Sequence, residues 1–505
     1  MLGCDVGSQG TNVALYTAGG DLVASADEPY DVSFPAPGWA EQDASLWLTA
    51  LERAVARVVA EPRVEPSAIK GISFGSQLDG VVAIDAAGQP LRPALIWMDR
   101  RAEVQAAALA GRVDPRDFYR MSGANLDSSH GVFKILWIRD REPERFARAA
   151  AFHLPGSFVL EHVTRERAVD YSNASSLALL DPRERRFSSS LLGLAGLDDD
   201  LLPPVHPATA GVGTIAPEFA EATGLDPATV VAVGCGDEMA ATLGAGVYQP
   251  GEVCDVVGTA EPVCAASERP REDESMLVEC HPHADPAAWL LENPGFVSGG
   301  NLRWFRDHLA PLELQAEMDG TSADAYDALN ALAEAVPAGA EGLVFLPCMQ
   351  GAMAPEWNGA ARGVFHGLTL AHTRAHLYRA VLEGSAFALR DILEAMRAAG
   401  LEVRRLTIVG GGAKGKLWRR IKADVTGLPV RVPANVETTA AGAAILAAVG
   451  AGLHDDVAAA VQAFVRYEPD ELAPDADTQE RYDEAYRLYR DVYFALKPVF
   501  APTTP

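Results

Sequence analysis

One acidic residue near the start of the chain is followed at once by glycines and hydroxyl side chains. Asp5 ends the apolar run LGCD, and Gly7, Ser8, Gly10 and Thr11 come directly after it. Such a turn presents several backbone N–H groups at one point, as phosphate oxygens require, and a carboxylate beside it can hold Mg²⁺ through water. On this motif alone, a plain tight hairpin with a locally satisfied aspartate is the simpler interpretation.

A second acidic residue lies between a strand pattern and an alanine-rich helical pattern. Asp237 follows the run VVAVGCG and precedes EMAATLGAG. As an N-cap, an aspartate would satisfy the free N–H groups of the helix. At the carboxyl end of a strand, it would instead be placed to accept the proton of a hydroxyl that attacks a phosphoryl group. The residues alone favour the cap and leave the base open.

The glycine-rich segment IVGGGAKGKL from Ile408 resembles two nucleotide-binding motifs and matches neither. A P-loop needs Ser or Thr after its lysine, whereas Leu417 follows Lys416. A dinucleotide fingerprint needs an acidic residue about 20 positions further on, where the chain reads PVRVP. The interpretation that remains is a strand-to-helix turn against which an adenosine lies, because glycine lets the backbone approach closely.

Polar side chains and tryptophans are mixed in three segments near the N-terminus. Sugar sites need hydrogen bonds to vicinal hydroxyls and an apolar face for C–H groups. The candidates are Trp39, Gln42, Gln77, Asp79, Trp97, Asp99 and Arg101. Taken singly, each is better explained as a core tryptophan or an ion pair, so only convergence in one cleft would indicate a sugar site.

The composition limits the class of protein. A chain of 505 residues, 49% of them apolar, predicts two domains of roughly 200 to 250 residues. The net charge of −27 argues against a nucleic acid or an anionic membrane as partner and favours small-molecule chemistry. Six cysteines without a CxxC pair, and an N-terminus unlike a signal peptide, predict a reduced, cytoplasmic protein.

Strand-like runs bounded by glycines alternate with helical patterns, which predicts an α/β fold. The segment LGCDVGSQGT from Leu2 resembles EVCDVVGTAE from Glu252, so a duplicated domain is one interpretation, and chance matching of two short turns is the other. Pro and Gly just before the second copy predict domains 1–247 and 248–505, with a helical tail from about residue 451. Tyrosines at helical spacing in this tail predict packing rather than ligand binding.

Two longer stretches resemble the signatures of the FGGY carbohydrate kinases. These are VFKILWIRDREP from Val132, with Lys134 and Trp137 in place, and GVFHGLTLAHTRAHLYRAVLEG from Gly363. The resemblance implies two actin-like, ribonuclease H-like domains around a deep cleft, with sugar bound mainly by the first domain and ATP by the second. It also implies that Asp237 is the catalytic base and that Asp5 is the carboxylate on the Mg²⁺ side.

The same resemblance assigns the remaining site residues. The residues that it places at the phosphates are Gly7, Ser8, Gly10, Thr11, Gly258 and Thr259. Those that it places at the rest of the nucleotide are Gly411, Gly412, Ala413 and Lys416. Those that it places at the sugar, beside Asp237, are Gln77, Leu78, Asp79, Trp97, Asp99 and Arg101.

Within the family, the N-terminal segments most resemble the xylulokinases, which implies transfer of the ATP γ-phosphoryl group to a pentulose, D-xylulose first. These enzymes usually read Met-His-Gly where this chain has Leu78-Asp79-Gly80, and an ionised aspartate only accepts hydrogen bonds. Other ketopentoses, pentitols and tetritols therefore stay open as substrates. A nicotinamide-dependent dehydrogenase and a non-catalytic sugar sensor are the alternatives of another class. Since such kinases are often dimers, a homodimer is expected.

Overall fold

Strands and helices alternate along the whole chain. The computed structural model describes residues 1–320 and 324–500. The strands up to residue 247 are β1 (Leu2–Val6), β2 (Gly10–Tyr16), β3 (Leu22–Pro29), β4 (Glu41–Gln42), β5 (Gly71–Ser76), β6 (Val82–Ile84), β7 (Ala94–Leu95), β8 (Ala151–His153), β9 (Val169–Asp170), β10 (Leu180–Asp181), β11 (Arg186–Phe187), β12 (Val205–His206), β13 (Gly211–Thr214), β14 (Val230–Ala232) and β15 (Cys235–Gly236). The later strands are β16 (Glu252–Val256), β17 (Ala260–Ser267), β18 (Glu279–Pro282), β19 (Trp289–Val297), β20 (Val344–Leu346), β21 (Val364–His366), β22 (Arg405–Val409) and β23 (Val430–Arg431).

The helices cover the faces of the sheets. They are α1 (Ala44–Val59), α2 (Glu103–Ala110), α3 (Pro115–Ser122), α4 (Gly131–Arg141), α5 (Pro143–Arg148), α6 (Pro155–Thr164), α7 (Tyr171–Ser176), α8 (Ser189–Ala195), α9 (Pro217–Thr223), α10 (Asp237–Gly244), α11 (Gly299–Leu309), α12 (Pro311–Met318), α13 (Ala325–Glu334), α14 (Arg374–Ala398), α15 (Lys416–Thr426), α16 (Thr438–Gly450), α17 (Val457–Phe464) and α18 (Ala476–Leu496).

Two mixed sheets have the same plan. In the first, the order is β13-β14-β5-β1-β2-β3, with β15 also beside β5; in the second, it is β18-β19-β17-β16-β22-β23. The hairpin β1–β2 is antiparallel and β5 runs parallel to β1, while β16–β17 and β22 repeat this arrangement. The two similar segments noted in the sequence thus hold equivalent positions, which favours duplication over chance matching.

One helix of the C-terminal half lies on the first sheet. The Ala/Gly-rich α16 is almost wholly buried, and it packs on β1, β5 and α10. Its approach depends on glycine: a Cβ at Gly3 would lie 1.8 Å from the carbonyl oxygen of Ala440. The predicted division after residue 247 assigns α16 to the second domain, although in space it completes the core beneath the strands of the first.

The C-terminal tail is helical, as the sequence predicts. The side chains of Tyr482, Tyr486, Tyr489 and Tyr493 on α18 are buried in the core of the second domain. The prediction that these tyrosines serve packing is confirmed. Across the described residues, the structure holds no helix with the length and hydropathy needed to cross a bilayer.

Candidate active site

The two predicted acidic residues meet at the carboxyl ends of the first sheet. Asp5 on β1 pairs in register with Gly75 of β5, and Cys235 of β15 pairs with the same glycine from the other side. Asp237, two residues beyond Cys235, is the first residue of α10, whose N-cap is Gly236. The aspartate accepts a hydrogen bond from its neighbour's N–H, with Glu238 N 3.0 Å from its Oδ1. The N-cap interpretation of Asp237 is therefore wrong.

Both carboxyls hold their protons unusually tightly. Burial, with smaller contributions from the negative charges of Asp237, Glu437 and Asp27, raises the pKa of Asp5 to about 8. Burial also raises the pKa of Asp237 to about 7, and the carboxylates of Glu292 and Asp79 add to this effect. Buried carboxyls that repel each other are suited to a divalent cation, whose charge would favour their ionised forms. The pair therefore fits the Mg²⁺ that accompanies ATP.

The turn of the first hairpin is held by hydrogen bonds. Gly7 N donates to Gly10 O at 3.0 Å, and the Tyr30 hydroxyl donates to Gly7 O at 2.7 Å. The hydroxyl of Thr11 is buried and lies 3.3 Å from that of Tyr30. Ser8 lies at the tip of this turn, where its hydroxyl accepts a hydrogen bond from the segment of Trp97.

Two of the predicted sugar residues contact this turn. Trp97 Nε1 donates to Ser8 Oγ at 2.8 Å, and the indole is 43% exposed. Gln77 is buried, and its Nε2 donates to Gly7 O at 3.3 Å and to Gln42 Oε1 at 3.0 Å. The segments predicted to bind sugar therefore meet at the turn predicted to bind phosphate. The sequence alone could not establish this.

A small cavity lies where the first domain faces the second. It measures about 40 Å³. The residues that line it are Leu78, Asp79, Ser129, His130, Ser172, Ser176 and Met239 from the first domain, and Glu279, His281, Glu292, Pro294 and Trp357 from the second. Leu78 and Asp79 thus lie together where a sugar was predicted. The second-domain residues were missed, because no motif marks them.

Asp79 is held in an uncommon conformation at the wall of this cavity. Its φ of 57° is left-handed, a region that Asp tolerates better than most residues. Lys134 of the first signature donates to the carbonyl oxygen of Asp79 at 2.7 Å, and His130 Nδ1 lies 3.1 Å from its Oδ1. The carboxylates of Glu279 and Asp79 raise the pKa of His130 well above its usual value, although burial opposes them. The imidazole is therefore positioned to donate to Asp79.

Asp99 and Arg101 lie inside the first domain and do not line the cavity. Arg101 pairs with the fully buried Asp99 at 2.7 Å, and Asp99 Oδ2 also accepts from Ala40 N at 2.7 Å. The Arg101 guanidinium stacks over the indole of Trp39 at 3.7 Å from the ring centroid. These contacts hold the segment that carries Trp97, and a role of Asp99 and Arg101 in sugar binding stays a prediction.

A larger cavity of about 410 Å³ lies in the second domain, within the usual size range of ligand pockets. Its lining includes four of the predicted nucleotide residues, which are Gly258, Thr259, Gly411 and Gly412. The others do not line it: Ala413 is buried in the core beneath the turn, and Lys416 is exposed at the start of α15. Lys414, two residues earlier, lines it instead.

Close backbone contacts explain the glycines of this cavity. A Cβ at Gly412 would lie 2.2 Å from Val257 Cγ1, and one at Gly299 would lie 2.3 Å from the carbonyl oxygen of Gly258. Arg303 of α11 reaches the second hairpin turn, where its Nη2 donates to Thr259 Oγ1 at 3.1 Å. Arg303 and the α13 residues Tyr326, Asp327 and Asn330 complete the lining. They were not predicted from the sequence, because they lie outside any glycine-rich motif.

Comparisons with known proteins agree with this geometry. Models of the FGGY family of carbohydrate kinases match the chain at residues 1–244 (N-terminal domain) and 255–451 (C-terminal domain). The chain is 31% identical to the xylulose kinase of Escherichia coli (strain K12) over 99% of this chain and 100% of that protein. It is 30% identical to the gluconokinase of Bacillus subtilis (strain 168) over 90% of this chain and 88% of that one. A crystal structure of xylulose kinase from Rhodospirillum rubrum superposes with a TM-score of 0.89 at 32% identity, covering 99% of each chain.

Two α/β domains of one plan, with a nucleotide-sized cavity in the second and buried aspartates at the strand ends of the first, define an actin-like sugar kinase. The chain belongs to the FGGY family of carbohydrate kinases, and it is a carbohydrate kinase enzyme. The predicted fold class is thereby confirmed.

Proposed function

We propose that the protein transfers the γ-phosphoryl group of ATP to a terminal hydroxyl of a pentulose, with D-xylulose as the leading substrate. The observation that carries this proposal is the position of Asp237. The charges of Asp79 and Glu292, which line the small cavity, add to the burial that raises the pKa of Asp237. The charge of Asp237 in turn adds to the burial that raises the pKa of Asp5. Asp237 does not itself line the cavity, but Met239 two residues later does, and Gly236 N just before it donates to Ser172 Oγ of the lining at 3.0 Å.

In the proposed reaction, Asp237 accepts the proton of the sugar hydroxyl as its oxygen attacks phosphorus. The two hairpin turns, at Gly7–Thr11 and at Gly258–Thr259, bind the phosphate oxygens through backbone N–H groups. Asp5 would hold Mg²⁺ through water, and the metal would supply neutralisation of phosphate charge. The Gly411–Gly412 turn would lie against the nucleoside. Alignment and exclusion of water then account for most of the catalysis.

The charge of the small cavity favours a neutral sugar over an aldonate. Its lining includes the carboxylates of Asp79, Glu279 and Glu292 and the imidazoles of His130 and His281, whose pKa values are raised by neighbouring carboxylates although burial opposes this. None of the described residues that line it is Lys or Arg, so acidic side chains outnumber basic ones. A gluconate carboxylate would meet like charges there, whereas the hydroxyls of a ketose can donate to them. This contrast favours the xylulose kinase relative over the gluconokinase relative as a guide to substrate.

The cavity is too small for a pentulose as it stands, since 40 Å³ holds little more than water. Sugar entry therefore requires the second-domain wall to move away from Leu78 and Asp79, and closure afterwards would exclude water.

Cytoplasmic location and a homodimer remain predictions. The six cysteines are all unpaired and buried, which suits a reducing compartment.

The pH dependence of the rate follows from the base. Because Asp237 must be ionised to accept a proton and its pKa is raised to about 7, kcat/KM for the sugar should rise with pH and level off at about 7, or at a lower pH to the extent that bound Mg²⁺ favours the ionised carboxyl. Below that pH we expect a fall of about tenfold per pH unit. Initial rates at saturating Mg·ATP in overlapping buffers would measure it, and a profile that is flat from about pH 5 to 9 would exclude a base of this kind.

Replacing Asp79 by histidine should change the ranking of sugars. Histidine tolerates the left-handed backbone at this position, but it removes an acceptor from the cavity and places a second imidazole next to His130. We expect the ratio of kcat/KM between epimeric pentuloses to change by about tenfold or more, because a polar group left unpaired penalises the wrong hydroxyl pattern. A ranking identical to that of the unaltered enzyme would show that Asp79 does not contact the sugar.

An assay of sugar-dependent ADP release tests the proposed function directly. The unaltered enzyme with Mg·ATP is offered ketopentoses, pentitols, tetritols and gluconate, each with a sugar-free blank. We expect the highest kcat/KM with a ketopentose, D-xylulose first, and the lowest with gluconate. Release of ADP that no sugar accelerates would favour the sensor alternative, and a preference for gluconate would refute the charge argument.

A further inference from the structure

One acidic side chain of the second domain lies in the small cavity with an unused acceptor. Glu292 on β19 is 5% exposed, and its Oε2 is buried without a hydrogen-bond partner. The imidazole of His281 is 4.0 Å from this oxygen, beyond hydrogen-bond length. A buried carboxylate oxygen without a partner is costly unless a ligand supplies a donor.

A first-domain carboxyl faces Glu292 across the cleft. Glu238, which follows Asp237 on α10, also has a buried Oε2 without a partner. One carboxylate oxygen of each residue and the Cys264 sulfur lie within 4.8 Å of one another. Burial, together with the charge of Glu292, raises the pKa of Glu238 well above its usual range. A protonated Glu238 can donate a hydrogen bond to a hydroxyl, and the carboxylate oxygens beside it can accept one.

The neighbouring Glu279 shows what a structural carboxylate in this cavity looks like. Its Oε1 accepts from Asn125 N at 2.7 Å, and its Oε2 lies 3.2 Å from His281 Nε2. Glu279 thus contacts the first domain with one oxygen and its own strand with the other. Glu292, on the next strand, has no such backbone or imidazole partner within hydrogen-bond length at its Oε2, and it faces Glu238 of the first domain instead.

We propose that Glu292 is a specificity-determining residue of the sugar site, which accepts a hydrogen bond from the sugar hydroxyl adjacent to the one that is phosphorylated. The inference rests on the proposed function. A carboxylate oxygen of Glu292 lies within 4.8 Å of one of Glu238, the residue after Asp237, so Glu292 is close to the proposed base. The second domain then contributes to sugar recognition as well as to nucleotide binding, and the preferred substrate is a neutral polyol or ketose with a free hydroxyl next to its terminal carbinol.

The test compares Glu292→Gln with the unaltered enzyme on two substrates, D-xylulose and its analogue without the C4 hydroxyl. Loss of a charged acceptor should raise the KM for D-xylulose by about 10- to 100-fold. With the deoxy analogue, the two enzymes should differ by less than about threefold, because no hydroxyl is left to bind. The KM for ATP should stay unchanged. Glu402→Gln, which alters an exposed second-domain carboxylate bonded to Arg404, is the matched control and should leave every constant unchanged.

Three results would overturn the inference. Equal losses on D-xylulose and on the deoxy analogue would indicate a structural role. An unchanged KM for D-xylulose would show that Glu292 does not contact the sugar. Stoichiometric metal in the purified protein, lost in Glu292→Gln by elemental analysis, would mean that the oxygens are metal ligands. If Glu292→Gln does not fold, Glu238→Gln should show the same dependence on the C4 hydroxyl. Absence of sugar turnover by the unaltered enzyme would refute the proposed function itself, whereas turnover with an unaffected Glu292→Gln refutes only this inference.

Discussion

Replacing Asp237 by asparagine is expected to lower kcat by a factor on the order of 10² to 10⁴, the usual range for loss of a general base. The amide has nearly the shape of the carboxyl and can keep the contact with Glu238 N through its oxygen, but it cannot take the proton of the sugar hydroxyl. Because the nucleotide cavity lies in the second domain and does not include Asp237, the KM for ATP should change much less than kcat. Steady-state kinetics with the best sugar of the panel would measure both.

Asp43→Asn is a matched control for this variant. Asp43 is the N-cap of α1 in the same domain, and asparagine caps helices about as well as aspartate. The control should therefore keep near-normal turnover and stability. A folded Asp237→Asn enzyme with near-normal kcat would refute the assignment of the base.

Replacing Lys422 by methionine should destabilise the second domain by about 3 to 5 kcal/mol, because it leaves buried carboxylates uncompensated. Lys422 Nζ lies 2.5 Å from Asp255 Oδ2 and 2.8 Å from Glu261 Oε1, and all three side chains are almost fully buried. Even beside this lysine, burial, with the charge of Asp255, raises the pKa of Glu261 to about 8. Denaturant unfolding followed by fluorescence would measure the loss.

The exposed ion pair of Lys497 with Glu356, 2.6 Å apart, provides the comparison. Lys497→Met should cost at most about 1 kcal/mol, since exposed pairs contribute little. Equal stabilities for the two variants would contradict the assignment of Lys422 as the buried counter-ion. Adding Asp255→Asn to Lys422→Met should recover part of the lost stability, because one of the uncompensated charges is then removed.

The two hairpins carry equivalent aspartates in different electrostatic surroundings. Asp5 and Asp255 occupy equivalent positions on β1 and β16, since each strand pairs with a hairpin partner and with a parallel strand. Asp255 is fully buried and neutralised by Lys422. The pKa of Asp5 is raised by burial and by the negative charges of Asp237, Glu437 and Asp27. The carboxyl of Asp5 therefore lacks the counter-ion that Asp255 has, which suits a divalent cation.

Local patterns allowed much of the site to be predicted. The strands that carry Asp5 and Asp237, the turn at Gly258–Thr259 and the glycine-rich turn at residue 411 are each defined within about ten residues, so their chemistry can be read from the sequence. Ala413 and Lys416 were misplaced because the phase of a short turn decides which side chains reach the cavity. A spacing rule cannot resolve a shift of one or two positions.

Residues from the other domain could not be predicted in the same way. Glu279 and Glu292 reach the sugar cavity only because the second sheet faces the first, and no local motif encodes that relation. Asp99 and Arg101 present the opposite case: their types suit a sugar site, but in this structure each is the ion-pair partner of the other inside the protein. Burial and partner choice are properties of the folded chain, and they separate a binding residue from a bracing one.

A crystal structure of the unaltered enzyme with Mg²⁺, a non-hydrolysable ATP analogue and D-xylulose is the most direct test of the proposed mechanism. The Asp237 carboxylate should lie within about 2.6 to 3.2 Å of the terminal hydroxyl, with that oxygen in line with the γ-phosphorus. A sugar bound outside the cavity of Asp79 and Glu292, or an Asp237 side chain turned away from the bound hydroxyl, would contradict it.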